Sequence, residues 1–597
     1  MNRYGLVLAY AYIIHFAVSV DPEVTTTNGK VRGYSQTSYN SKIVSTYLGI
    51  PFATPPTGDL RFQRPIPVQN WTGTLECKKL PNSCPQIKFN VFKGKAGEKG
   101  EEMWNYNTNS SEDCLYLNIW APVSTTKKLS TLVWIFGGGF IYGTSTLSLY
   151  DGTYLAAYRD VIIVSINYRV GPFGFLYMGT DRAPGNAGLI DQVVALKWIY
   201  NNIEYFGGTK DSITLFGESA GAASVSYLLA SDLSKNYFQR AILQSASLLG
   251  SWAYQSPEIA IRYTQDLAKI VSCGDRNKDD TVACLKQVPV DDLTNKAWDL
   301  NITHVQWPFA PTIDNYFIKK SPTEIMKTEK FVNKDILLGF NTDEGAFFLL
   351  YYLLDAIPYP ASGNMTWDRF LAEIPKIVST DGYSQISKEK DKLLFDAILF
   401  YYNAWSPEVT SAQYFDILDD IAGDFNFKCP VADLAEILAS YPDRNASVFG
   451  YFFDQHTSVS DWPDWTGVLH GDEIEYIFGV PLKSTMSSYS SNEQWLSRYM
   501  MEYWTNFAKT GQPDVQRWKN FTASNNQYAV LAGGRELAMQ TIDYTRTCQF
   551  WSKYIPKLKA INAEFQARIN SGWKANISML ILVLNLALSW IVSMSTQ

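Results

Sequence analysis

Ser219 stands in Gly217-Glu218-Ser219-Ala220-Gly221, directly after the strand-like run Ser212-Ile213-Thr214-Leu215. A serine between two glycines at a strand-to-helix junction is a nucleophile elbow, because the glycines permit a turn tight enough to push the hydroxyl out of the backbone. Small residues follow (Ala222, Ala223, Ser224) and open a helix. The chemistry such a serine performs is acyl transfer through a covalent ester, and for that it needs a base. The chain has four histidines: His15, His304, His456 and His470. His15 lies in an apolar N-terminal run. His304 follows the sequon Asn301-Ile302-Thr303 and is expected near the surface. His456 follows an aromatic strand and is the competitor to His470, which small neighbours in Gly467-Val468-Leu469-His470-Gly471 leave free to reach another loop. The orienting acid belongs between serine and histidine in chain order. Asp343 and Glu344 both qualify, at the end of the run Ile336–Phe340, and pattern alone does not separate them. Negative charge on the substrate oxygen also needs donors. The glycines of Gly137-Gly138-Gly139-Phe140, after the apolar run Thr131–Phe136, can turn backbone N–H groups inward. Each such donor is worth roughly 3 kcal/mol in the transition state.

These residues need a scaffold. Strand-like runs at Val161–Tyr168, Ile213–Phe216, Ala241–Gln244, Ile336–Phe340 and Val448–Phe453 alternate with longer helical patterns. One such pattern places Leu189, Val193, Leu196, Ile199 and Ile203 on one face, at three- and four-residue steps. The alternation predicts an α/β fold with a large, mostly parallel central sheet flanked by helices. The 597 residues show no internal repeat or low-complexity linker between Asp21 and Lys559, so one large domain is expected. A formal net charge of −7 is modest and gives nucleic acid nothing to hold. No cysteine or histidine grouping has metal-ligand spacing and no cofactor motif stands out, so neither is expected.

With the elbow, the glycine loop and Glu112-Asp113-Cys114-Leu115-Tyr116-Leu117-Asn118 in place, the chain resembles the type-B carboxylesterases, from about Val24 to Lys559. Within them it is most similar to the cholinesterases of invertebrate type. The resemblance implies an α/β-hydrolase fold and a serine esterase that hydrolyses acetylcholine to choline and carboxylate through an acyl-enzyme, ending cholinergic signalling at the cell surface. It implies Ser219, Glu344 and His470 as catalytic residues, and the N–H groups of Gly138, Gly139 and Ala220 as the oxyanion hole. It assigns choline binding to Trp104, Glu218, Tyr150 and Phe347. The indole face attracts a quaternary ammonium, which can donate no hydrogen bond, by about 2 kcal/mol or more when desolvated. The acyl pocket is implied at Trp252, Val305, Trp307 and Phe348, the gorge and its outer site at Trp298, Tyr351 and Trp465. Disulfides Cys84–Cys114, Cys273–Cys284 and Cys429–Cys548 follow from the same likeness, with Cys77 the surplus among seven cysteines. So does a homodimer through the C-terminal helix around Phe550–Phe565. Ile87, Phe89 and Ile141 depart from the family pattern at the gorge entrance, and Lys93–Lys99 lengthens the loop that bears Trp104. The alternatives are a broad-specificity carboxylesterase and a non-catalytic adhesion protein of the neuroligin kind.

The termini set the expected location. Residues 1–19 read as a signal peptide, with the apolar run Leu6–Ala17. Residues 20–559 form the hydrolase domain, and 560–572 the helix end and attachment region, with Asn570 as the attachment residue of a glycosylphosphatidylinositol (GPI) anchor. Residues 573–597 are then the hydrophobic tail removed on anchoring. Sequons at Asn70, Asn109, Asn301, Asn364, Asn445 and Asn520 fit an exported glycoprotein.

Overall fold

Apolar β-branched runs bounded by glycine and helix signals build an eleven-stranded sheet in a computed structural model of the chain. It describes residues 21–570, apart from 96, 124–127, 301–303, 328–332, 354–364, 380–390, 412, 442–444, 484–487 and 543. In chain order the strands are β1 (Tyr34–Thr37), β2 (Ile43–Pro51), β3 (Tyr116–Pro122), β4 (Leu129–Ile135), β5 (Ile162–Ile166), β6 (Gly208–Glu218), β7 (Arg240–Gln244), β8 (Asp335–Asn341), β9 (Val448–Phe453), β10 (Gln527–Leu531) and β11 (Ala538–Thr541). Their spatial order is β1-β2-β3-β5-β4-β6-β7-β8-β9-β10-β11. The run from β5 through β4 to β10 is parallel, and the pairs at both margins are antiparallel.

The central strands are buried on both faces: all five residues of β5 and the last six of β6 are buried. That is why they read as continuous apolar runs rather than as alternating ones. β6 starts five residues before the predicted run. Its polar opening, Gly208-Thr209-Lys210-Asp211-Ser212, looks like a loop in sequence; Gly208 pairs with Leu129 of β4, and the register shifts before Ile213 pairs with Thr131. Helix α1 (Ala187–Asn202) carries the predicted stripe, with Leu189, Leu196 and Ile199 fully buried; Ile203 falls in the 3₁₀ turn that continues it. Helix α2 (Ala220–Ala230) follows the elbow, α3 (Ala346–Tyr352) follows β8, and α4 (Glu473–Ile477) follows His470. The long α5 (Ser491–Thr510) begins with a Ser490/Glu493 capping box and ends at Gly511 in the left-handed region. Helix α6 (Ile555–Asn570) ends the described chain. Among the described residues no helix is long and apolar enough to cross a membrane.

The topology gathers the chemistry at one edge. The glycine loop leaves β4, the serine leaves β6 and the Asp343-Glu344 turn leaves β8, all at the carboxyl ends of parallel strands, where open α/β sheets place their sites.

Candidate active site

Ser219 sits at φ 55° and ψ −125°, between the last residue of β6 and the first of α2. The strained turn is held from both sides. Ser219 N–H donates to Gln244 O at 2.9 Å, and its carbonyl accepts from Ala223 N–H at 2.9 Å. Gly221 is required by packing: a Cβ there would lie 1.9 Å from the carbonyl oxygen of Ile135. Strand β4 therefore approaches the elbow more closely than any side chain would allow.

The two adjacent acids part company. Glu344 is fully buried; its Oε2 lies 2.5 Å from His470 Nδ1, and its Oε1 accepts from Asn341 N–H at 2.7 Å. Asp343 turns the other way and accepts from Val468 N–H at 2.7 Å. Only Glu344 meets the imidazole, and its carboxylate fixes Nδ1 as the donor nitrogen, which leaves Nε2 to accept a proton. Nε2 lies 2.9 Å from Glu218 Oε1, without hydrogen-bond alignment and with no other partner among the described residues. No Ser219–His470 hydrogen bond forms in this state; such bonds often tighten only when substrate is bound. Burial works to lower the imidazole pKa, but the Glu218 and Glu344 carboxylates outweigh it and push His470 up to about 10.

The other histidines are elsewhere. His304, expected near the surface, is 7% exposed: it pairs with buried Glu373 at 2.6 Å and stacks on Tyr352. A neighbouring sequon says nothing about the side chain that follows it, and here an acid on a packed helix draws the ring inward. His456 is partly buried, and its Nε2 has no partner among the described residues.

After β4 the backbone turns through Gly138 (φ 105°), Gly139 (φ 59°) and Phe140 (φ 65°). The N–H groups of Gly138, Gly139 and Ala220 have no acceptor among the described residues. Gly138 and Gly139 border an inner cavity of about 30 Å³ that also meets Ser219, His470, Glu218, Trp104 and Tyr150. Trp104, Phe347 and His470 are shared with an outer cavity of about 560 Å³. The outer cavity has room for a small organic ester, with Trp104, Phe347, Trp462 and Tyr489 in a lining of mixed polar and apolar side chains.

Trp104 is held in place by its loop. The Cys84–Cys114 disulfide closes it, Asn105 bonds both the N–H and the carbonyl of Phe89, and Glu101 accepts from the N–H groups of Val91 and Phe92. Phe347 meets Trp104 edge-on at 6.4 Å. On the opposite wall Trp307 packs against Trp252 and Phe348, and Phe348 lies 5.1 Å from the His470 ring. Trp252, Val305, Trp298, Tyr351 and Trp465 line neither cavity. Val305 is fully buried at φ 60°, and Trp307, not Val305, lines the inner cavity. Trp465 packs on Phe415, away from both cavities; Trp462, three residues earlier, lines the outer one beside Phe347, Tyr351 and Phe92. The short helical turn at Asp464–Thr466 points the two indoles in different directions. Phe89 contacts Trp298, Tyr142 and Tyr351 edge-on. Sequence reasoning missed Tyr142, which lines the inner cavity, and Phe427, whose ring lies 4.5 Å from His470. Phe427 carries no motif, and only the fold brings it there.

Disulfides join Cys84 to Cys114, Cys273 to Cys284 and Cys429 to Cys548, and Cys77 is a buried free thiol. Asn70, Asn109, Asn445 and Asn520 are exposed; Asn301 and Asn364 lie outside the described residues. So do residues 1–20, which hold the run expected to be a signal peptide, and residues 571–597, while Asn570 is the last residue of α6.

The chain matches the carboxylesterase family over residues 20–551. It is 38% identical over 560 residues to an acetylcholinesterase of Leptinotarsa decemlineata, covering 90% of this chain and 86% of that one. It is 40% identical over 544 residues to an acetylcholinesterase of Bungarus fasciatus, covering 90% and 87%. It is also 40% identical over 560 residues to a cholinesterase of Mus musculus, covering 92% and 90%. A match over nearly the whole chain, on an eleven-stranded sheet with a serine elbow at its centre, places this protein in the carboxylesterase family.

Proposed function

We propose that this protein is a serine esterase that hydrolyses choline esters, acetylcholine foremost. The observation that carries this reading is the meeting of Ser219, His470 and the Trp104 indole around one cavity, with Glu218 beside them. His470 Nε2 takes the proton from Ser219 Oγ as the oxygen attacks the ester carbonyl, while Glu344 orients the ring and stabilises its charged form. The N–H groups of Gly138, Gly139 and Ala220 hold the oxyanion. Collapse of the intermediate breaks the bond to choline, whose oxygen takes the proton from His470. Water, deprotonated by the same nitrogen, then hydrolyses the acyl-serine. The trimethylammonium lies on Trp104 with Glu218, Tyr150 and Phe347 around it. Trp307 and Phe348 bound the acyl group, and Trp252 packs on Trp307.

The test is kcat/KM for acetylthiocholine against its uncharged isostere, with carbon in place of the quaternary nitrogen. A strong preference for the cation supports the reading. Equal values favour a general carboxylesterase, and folded protein without turnover on either favours a non-catalytic role. The same reading places residues 20–559 as the catalytic domain outside the cell, tethered through a GPI anchor at Asn570 and dimerised through α6. The exposed sequons and the apolar run Met579–Met594 support export and anchoring.

A further inference from the structure

We propose that Asp343 is a positioning residue for this reaction: its peptide N–H and its carboxylate clamp the loop bearing His470 onto the turn bearing Glu344. The proposal rests on the catalytic roles given above to those two residues. They are 126 positions apart and meet through one side-chain contact, and Asn341 Nδ2 adds a side-chain tie to Leu469 O at 2.8 Å, but neither joins the two backbones. Asp343 supplies the backbone connection. Its N–H donates to Val468 O at 3.0 Å, and Val468 N–H donates back to Asp343 Oδ2 at 2.7 Å. Asp343 and Leu469 also pair as an isolated parallel bridge outside the named strands. Gly467 leaves the carboxylate its space, since a Cβ there would lie 2.0 Å from Oδ2. The clamp ends one residue from Glu344 and two from His470, at the point where a shift of about 1 Å can cost roughly 100-fold in rate.

The clamp is itself held from behind. Buried Asp419 lies against Asp343, and its Oδ1 has no donor among the described residues, so a proton shared between the two carboxyl groups satisfies both. Burial raises the pKa of each, which favours that shared proton. The buried Lys428 donates to Thr342 O at 3.3 Å and pairs with Asp424 at 3.0 Å. Phe427, on the same turn as Lys428, lies against the His470 ring. One turn therefore touches both catalytic loops.

The experiment uses the full chain, with active sites counted by an irreversible serine reagent, and measures kcat and KM on acetylthiocholine and its uncharged isostere. Asp343→Ala lowers kcat roughly 10- to 100-fold while KM for both esters stays within about twofold. Asp343→Asn, which keeps an oxygen for Val468 N–H, recovers most of that loss. Where Asp343→Ala does not fold, Gly467→Ala displaces the carboxylate and gives the same kcat-selective loss. Unchanged kcat in Asp343→Ala or Gly467→Ala overturns the clamp, as does an Asparagine variant as slow as the alanine one. In those cases the wild-type chain still turns over and the esterase reading stands; a wild-type chain without turnover overturns both.

Discussion

Glu218 bears on two parts of the reaction at once: it lies beside the Trp104 cavity and 2.9 Å from the nitrogen that must accept the serine proton. Its charge, with that of Glu344, keeps His470 protonated to about pH 10. Only the unprotonated ring can act as base, so activity on an uncharged ester rises with pH along that limb. Removing the Glu218 charge lowers the pKa. In Glu218→Gln the acid limb of kcat/KM therefore moves to lower pH by roughly one pH unit or more; an unmoved or alkaline-shifted limb would contradict this coupling. The aromatic wall makes a separate prediction. Trp104→Ala removes a cation contact of about 2 kcal/mol and raises KM for acetylthiocholine roughly 30-fold, with little change for the uncharged isostere. Trp465→Ala leaves both constants near wild type, because that ring packs on Phe415. At this scale the sequence carried the serine, the histidine and the glycine loop, since each stands in a motif whose backbone demands are local. Pattern alone left Asp343 and Glu344 open, the family resemblance chose Glu344, and the same resemblance pointed to Trp465 where Trp462 lines the cavity, because the direction of a side chain in a loop is set by what packs behind it.

Elements are fixed by longer-range ties. The Cys429–Cys548 disulfide closes a separation of 119 residues and joins the turn bearing Phe427 and Lys428 to the helix that leads into α6. A paired Cys429→Ser, Cys548→Ser variant loses about 2–5 kcal/mol of unfolding free energy, measured by urea titration. Because Phe427 lies on the His470 ring, part of its kcat falls below the unfolding transition as well. Wild-type kcat in the folded variant would separate the disulfide from the catalytic loops. Strand β9 was predicted at its observed bounds because it is apolar and short. The polar start of β6 was not, because a bulged strand end satisfies its backbone without hydrophobic alternation.

For the whole molecule, eleven strands set three loops side by side at one edge of the sheet, and the loop with His470 reaches them from beyond β9. The exposed sequons and the termini concern where this assembly works. If the chain is GPI-anchored, phosphatidylinositol-specific phospholipase C releases esterase activity from intact cells that express it. Replacing Asn570 and its small neighbours Ser571 and Gly572 with bulky residues abolishes that release. Activity that stays with the cells through the enzyme treatment would point to a tail that remains in the membrane.

The sequence by itself determined the reaction type and the fold class, and it singled out the candidate nucleophile and base. Those depend on short-range facts: a glycine-flanked serine after a strand, a glycine run after another, and alternation of strand and helix patterns. Tertiary structure alone showed how Glu344 reaches His470 while Asp343 turns away, that Trp462 rather than Trp465 faces the cavity, that His304 is buried, and that Phe427 touches the His470 ring. Each of these depends on loops brought together from far apart in the chain. Their side-chain directions follow from packing and charge in the assembled site, which no local pattern records.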